Sequence, residues 1–351
     1  MTQRTVIART LIAMVFVFFL AGWSGPSGAE EANQNRYRAM FGELPADMAT
    51  QERPMTPERV ALGRQLFFET RLSKGQDISC NSCHGLDNHG VDGEPTSRGH
   101  KGQRGGRNSP TVMNAGLHVA QFWDGRAADL EEQAKGPILN PIEMAMPSEE
   151  RVVEVLESIP GYPPLFAAAF PDTSDPVTYE NMAIAIGAFE RGLVTPSAFD
   201  RYLAGDDAAL SPAARAGLDK FVSLGCVSCH NGPGFGGGLY RILGQVHPYS
   251  TGDVGRFAVT GKEEDRNVFK VPSLRNVTET GPWFHDGSVV ELDEAIRLMG
   301  WHQLGVGISP NDRAQIIVFL EALAGEPDLD YVSMPSPLQS GPDTPVVNPE
   351  G

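Results

Sequence analysis

Apolar positions in this chain recur at helical spacing, and no stretch shows a convincing strand-like alternation. Thr56-Pro57 pairs an N-cap with proline at the first helical position. It predicts a helix to about Phe68 that turns Val60, Gly63, Leu66 and Phe67 inward. Ser211-Pro212 opens a second such helix through Ala216, Leu218, Phe221 and Val222. Ser309-Pro310 opens a third through Ile316, Ile317, Phe319 and Leu320, ending at Gly325. Ser148 caps another, and Tyr179 to Leu193 reads as an amphipathic helix closing a first domain. The two ends read differently. Residues 1–29 combine Arg4 and Arg9, an apolar run from Leu11 to Leu20, and Ser27-Gly28-Ala29 before Glu30. That is the plan of a secretory signal peptide, and the run is short for a membrane anchor. The tail, residues 334–351, is rich in Pro, Ser and Gly and is expected to be disordered.

Two short motifs change the picture. Cys80-Asn81-Ser82-Cys83-His84 and Cys226-Val227-Ser228-Cys229-His230 both read Cys-x-x-Cys-His and use all four cysteines of the chain. This is the pattern of covalent c-type haem attachment, with the thiols adding to the vinyl groups and the histidine beneath the iron. A redox dithiol or a zinc ribbon would not require a histidine directly after each pair. The expected fold is therefore all-α, with two cytochrome c-like domains at 30–193 and 194–333, each around one haem.

A second repeat supports duplication. Pro110 to Asn114 matches Pro272 to Asn276, and eleven residues after each proline comes Gln121-Phe122-Trp123-Asp124-Gly125 or Trp283-Phe284-His285-Asp286-Gly287. These copies are 162 residues apart, whereas the haem motifs are 146 apart, so the halves differ by an insertion. Met299 follows the repeat in the second half; its counterpart Pro137 cannot ligate iron. Met299 is thus the natural sixth ligand of the second haem. For the first, His89, His100 and His118 are candidates. His100 lies in a loop, Ser97 to Arg107, with four glycines, where a ligand could come and go. Glu143, between apolar neighbours, is a candidate acid–base group, and Trp123 a candidate electron relay.

Composition adds limits. Gly 39 and Pro 27 make a loop-rich chain, which suits small helical domains wrapped on a large prosthetic group. The formal net charge of −16, about −18 without Arg4 and Arg9, argues against nucleic acid and anionic lipid and could steer a basic redox partner. Export agrees with c-type haem, so the mature protein is expected in the periplasm.

Together the haem motifs, Thr96 to His100, Arg107 to Pro110, Ala120 to Asp129, Gln133 to Pro137, Gly255 to Val259, Pro282 to Gly287 and Met299 resemble the bacterial di-haem cytochrome c peroxidase family, over about Met55 to Glu326. The resemblance implies two cytochrome-like α domains with one calcium ion between them. It implies His84 as proximal ligand of the peroxidatic haem, with His100 as its distal ligand in the resting oxidised state. It implies His230 and Met299 on the electron-accepting haem and Trp123 between the two. Gln133 and Glu143 would line the peroxide pocket. Asn108 and the carbonyls of Thr280 and Pro282 match the calcium positions. The implied reaction reduces hydrogen peroxide to water with electrons from a small periplasmic cytochrome c or cupredoxin, and dimers are usual in the family. Two stretches depart from it: Gly232 to Val254, and Lys101-Gly102-Gln103 where a tryptophan is common. The alternatives are a di-haem enzyme that oxidises protein side chains, whose relatives carry Tyr at the place of Met299, and a plain di-haem electron carrier.

Overall fold

The computed structural model describes residues 28–346, so most of the expected signal peptide and the last five residues lie outside the described residues. The chain is mostly helical and buries two separate apolar clusters. The principal helices are α1 (Gly28–Phe41), α2 (Pro57–Phe67), α3 (Leu130–Leu139), α4 (Glu149–Ser158), α5 (Tyr162–Ala169), α6 (Tyr179–Glu190), α7 (Pro212–Ser223), α8 (Leu292–Met299) and α9 (Pro310–Glu321). The expected caps are present: the side chains of Thr56, Ser148, Ser211 and Ser309 each accept from a backbone N–H of the first turn.

The duplication is visible in how helices cross. α2 lies on α6 where a Cβ on Gly63 would overlap the Ala185 carbonyl. α7 lies on α9 where a Cβ on Gly217 would overlap the Gln315 carbonyl. In both pairs the next contact is the Cβ of a phenylalanine, Phe189 or Phe319, at 2.9 Å from the added atom. Only a residue without a side chain lets two backbones come this close. The first pair anchors a core of Leu62, Leu66, Phe67, Ile186 and Phe189; the second anchors Leu218, Phe221, Ile316, Phe319 and Leu320. The repeat at 162 residues recurs in the backbone as well. Gln121 bridges Ala127 as Trp283 bridges Val289, and Phe122 and Phe284 share the left-handed φ of 65° and 70°. Asn114 and Asn276 both donate from Nδ2 to Thr195 Oγ1, at 2.7 and 3.1 Å, so the two halves meet at one buried hydroxyl.

Three expectations need correction. First, residues 30–41 do not pack with the N-terminal half. Tyr37 and Phe41 of α1 enter the second core, where Phe41 stacks on Phe235 with ring centres 4.3 Å apart. Glu30 accepts from Tyr202 Oη at 2.8 Å. Second, residues 334–346 are ordered against the first half. Arg71 donates to the Leu338 carbonyl and to Ser340 Oγ, each at 3.0 Å. Gln76 donates to the Pro345 carbonyl at 2.9 Å, and Thr344 Oγ1 to the Ser158 carbonyl at 2.8 Å. Leu338 packs on the first core. Local composition missed this because the tail's backbone groups are satisfied by side chains distant in sequence. Third, Tyr240–Ile242 and Val268–Lys270 pair as two short antiparallel strands, β1 and β2, with Tyr240 opposite Lys270.

Candidate active site

Each Cys-x-x-Cys-His segment folds as a single tight turn, which places its three functional side chains together. In the first, Ser79 and Ser82 form a capping box around Cys80–Cys83, and the His84 N–H donates to the Cys80 carbonyl at 3.0 Å. In the second, Gly225 takes a φ of 93° to start the turn, and the His230 N–H donates to the Cys226 carbonyl at 3.0 Å.

Two cavities open onto these turns. The first, about 680 Å³, is walled by Cys80, Cys83 and His84, by Gln133 and Pro137 of α3, and by Glu143. The second is mostly apolar and is walled by Cys226, Cys229, His230 and Met299. Asn108, Pro110, Thr111, Phe122 and Trp123 line both. Trp123 is fixed in this shared wall: its indole N–H donates to the Asn108 carbonyl at 2.9 Å, and its own carbonyl accepts from the Lys270 N–H at 2.8 Å.

The chemistry of the walls fits c-type haem. None of the four cysteines is paired in a disulfide. Burial pushes Cys83 and Cys226 up to about 11, and Cys80 further in the same direction. A disulfide-exchanging pair has the opposite shift. Burial lowers His84, and pushes His230 down to about 4, which keeps both imidazoles neutral as iron ligands must be. The His230 ring is oriented from behind by its Nδ1 contact to the Phe235 carbonyl at 3.1 Å.

Glu143 is largely withdrawn from water. Burial raises its pKa, opposed by Arg126 and by a hydrogen bond with Asn140. It shares the first cavity with His84 and Gln133, as the sequence reading expected. His100 is placed otherwise. It does not line the cavity with His84; its backbone N–H donates to the Glu143 carbonyl at 2.7 Å, and Gly99 packs directly on Ile142 and Glu143. The loop bearing His100 is thus tied to the segment bearing Glu143. His89 supplies its carbonyl to Thr111 Oγ1 at 2.6 Å, and His118 lies in the second cavity.

Asn108, Thr280 and Pro282 all line the second cavity. Among the described residues no cluster of three His, Cys, Asp or Glu side chains could hold a metal. Amide and carbonyl oxygens are hard donors of the kind calcium accepts.

Several residues in these walls were not singled out from sequence. Arg107 makes a two-point contact with Asp253 at 2.6 and 2.8 Å and another with Asp124 at 2.5 Å. Although burial opposes it, these carboxylates hold the guanidinium firmly charged. Arg126 lies 3.4 Å over the Phe122 ring and also contacts Asp124. Glu190, at the end of α6, is 3% exposed and lines the first cavity; burial pushes it up to about 8. An acid inside the apolar run from Tyr179 to Leu193 was the available signal.

Comparison with known proteins agrees with this geometry. Residues 57–208 match the family model described as di-haem cytochrome c peroxidase. A cytochrome c551 peroxidase of Pseudomonas aeruginosa is 44% identical, with 92% of this chain and 95% of that protein covered. A cytochrome c551 peroxidase of Nitrosomonas europaea is 43% identical, with 98% and 99% covered. The crystal structure of a MauG-like protein associated with microbial copper homeostasis superposes with a TM-score of 0.72 at 29% identity, covering 90% of this chain and 99% of that one.

Proposed function

The chain belongs to the di-haem cytochrome c peroxidase family, and from that premise we propose that its first cavity is the peroxide-reducing centre and its second the centre that receives electrons. The reaction is reduction of hydrogen peroxide to water with electrons from a cytochrome donor. The observation that carries the assignment of cavities is the meeting of Glu143 and Gln133 with Cys80, Cys83 and His84 around one space, while Met299 lines the other.

A haem held by Cys80, Cys83 and His84 would supply an iron with an open position for peroxide. The protein's own part is proton handling. Glu143, raised by burial, would move a proton between the two oxygens of a peroxide held in this cavity. The Gln133 amide, on the same wall, orients the peroxide by hydrogen bonding. Arg126, on the wall of the same cavity, opposes the rise that burial imposes on Glu143. Trp123, common to both cavities, is the path for the second electron. His230 and Met299, which line the second cavity, would ligate a haem held there. His100, although outside the cavity lining, would be a further ligand of a haem held there, and its backbone bond to the Glu143 carbonyl couples that loop to the acid. Calcium is assigned to Asn108 and the carbonyls of Thr280 and Pro282, beside the shared wall.

We propose as the donor surface the patch around Trp301, which is 46% exposed and stacks on His247 at 4.0 Å, with Val246 and Val306 also exposed. The neighbouring Gln303 and Leu304 line the second cavity, so a donor here approaches that haem directly. The periplasm is the proposed location; no helix among the described residues is long and apolar enough to cross a membrane.

The side-chain-oxidising alternative is less well supported, since Met299 stands where that group carries Tyr. Steady-state peroxide consumption with a reduced small cytochrome c tests the assignment on oxidised and on half-reduced protein. Fast turnover only after half-reduction is expected. Fast turnover in both states removes the gating role of His100, and none in either favours the side-chain oxidase or the carrier.

A further inference from the structure

Lys270 closes β2 at the wall between the two cavities and is 5% exposed. Its backbone N–H donates to the Trp123 carbonyl at 2.8 Å. Its Nζ lies 2.7 Å from His118 Nδ1. No carboxylate pairs with it among the described residues. Burial alone pushes its pKa down to about 7, the response of an amine without a counter-ion.

His118 is constrained. Gly237, at a φ of 76°, presses its backbone against the imidazole so closely that a Cβ would overlap the ring. The Val119 N–H donates to the Gly237 carbonyl at 2.9 Å and locks the contact. Burial and the neighbouring Lys270 hold His118 well below the usual histidine range, so the ring is neutral. With Lys270 donating to Nδ1, the ring proton sits on Nε2. That atom is buried and has no partner. Lys270 and His118 both line the second cavity, whose walls are otherwise largely apolar. The site therefore holds a buried amine and a buried imidazole N–H, and apart from His118 Nδ1 no acceptor reaches either donor among the described residues. Buried polar groups are rarely left so, and a lone buried charge is strongly unfavourable.

We propose that Lys270 and His118 form an anion site for a propionate carboxylate of the haem bound in the second cavity. The inference rests on reading that cavity as a c-type haem site. The haem brings its own carboxylates, and one of them supplies Lys270 with a counter-ion and the His118 Nε2–H with an acceptor. Pairing returns Lys270 to the ammonium form. The pair thereby anchors the macrocycle at a wall separate from Cys226 and Cys229. The added positive charge also favours the reduced, less positive iron, which raises the reduction potential of this haem. Lys270 is thus a positioning and tuning residue.

The test uses the full protein carrying Lys270→Met, Lys270→Gln or Lys270→Arg. Haem content is read from absorbance and the potential of each haem from spectroelectrochemical titration. The expected result is a downward shift of the second haem's potential in the Met and Gln variants, with the first haem shifting less and Arg restoring most of the change. Selective loss of the second haem from Met and Gln, but not from Arg, would equally support the site. Two haems per chain with an unaltered second potential in Met or Gln would overturn it. So would an equal fall in Arg, or failure of all three to fold, since either outcome makes the role one of shape rather than charge. One haem per chain in the unaltered protein would instead overturn the haem reading of the cavity, and this proposal with it.

Discussion

Glu131 and Glu190 are almost equally buried, yet among the described residues only Glu131 has a hydrogen-bonded ion partner. Glu131 is gripped by Arg191 at 2.7 and 2.8 Å. Glu190 has no such bond, and burial next to the Glu131 charge carries its pKa to about 8. An unfolded glutamate titrates near 4.3. Between those values the folded chain holds a proton that the unfolded chain lacks, so stability should fall as pH rises through this window and level off above it. Glu190→Gln keeps the neutral shape and removes the slope. Thermal denaturation at about pH 5 and about pH 8 should therefore differ less in the variant than in the parent. Glu143→Gln tests a different role. Both haems should attach, while peroxide consumption falls by about 100-fold or more, the usual worth of a positioned acid–base group. At this scale the haem motifs, and the place of Glu143 beside the first of them, were legible because their signal is local: residue type, spacing and apolar neighbours. Glu190, Lys270 and Arg107 were not, because what makes them unusual is their partners, and those come from segments distant in the chain.

At the scale of the element, the crossing of α2 on α6 depends on one missing side chain. Gly63→Val should place atoms where the Ala185 carbonyl already lies and cost about 3 kcal/mol, seen as a lower denaturation midpoint. Gly217→Val should do the same in the second half, against the Gln315 carbonyl. Helix starts at Thr56, Ser148, Ser211 and Ser309 were readable because capping is a matter of adjacent residues. β1 and β2 were not, since three residues are too few to show alternation and Val268 to Lys270 is buried throughout. α5 was also missed, because Tyr162-Pro163-Pro164 reads as a break although prolines fit a first helical turn.

For the whole molecule, duplication was legible from the 162-residue repeat, and the structure extends it to the paired crossings and to Asn114 and Asn276 meeting at Thr195. The exchange of ends was not legible, because it depends on contacts such as Phe41 on Phe235 and Leu338 on the first core. Deleting residues 334–351 should lower the stability of the first half, with the partial burial of Leu338 alone worth about 1 kcal/mol. Hydrogen exchange should show the added opening in α2 and α5 rather than in α7 and α9.

The same exchange sets an order of assembly. The ribosome delivers α1 first, yet its seat among Tyr202, Phe199 and Phe235 does not exist until the middle of the chain has followed. The half that begins near Pro57 is covered last, by residues as late as Thr344 and Pro345. Vectorial synthesis thus supplies each end at the moment opposite to the half it completes, and neither half can be finished as a separate product of translation.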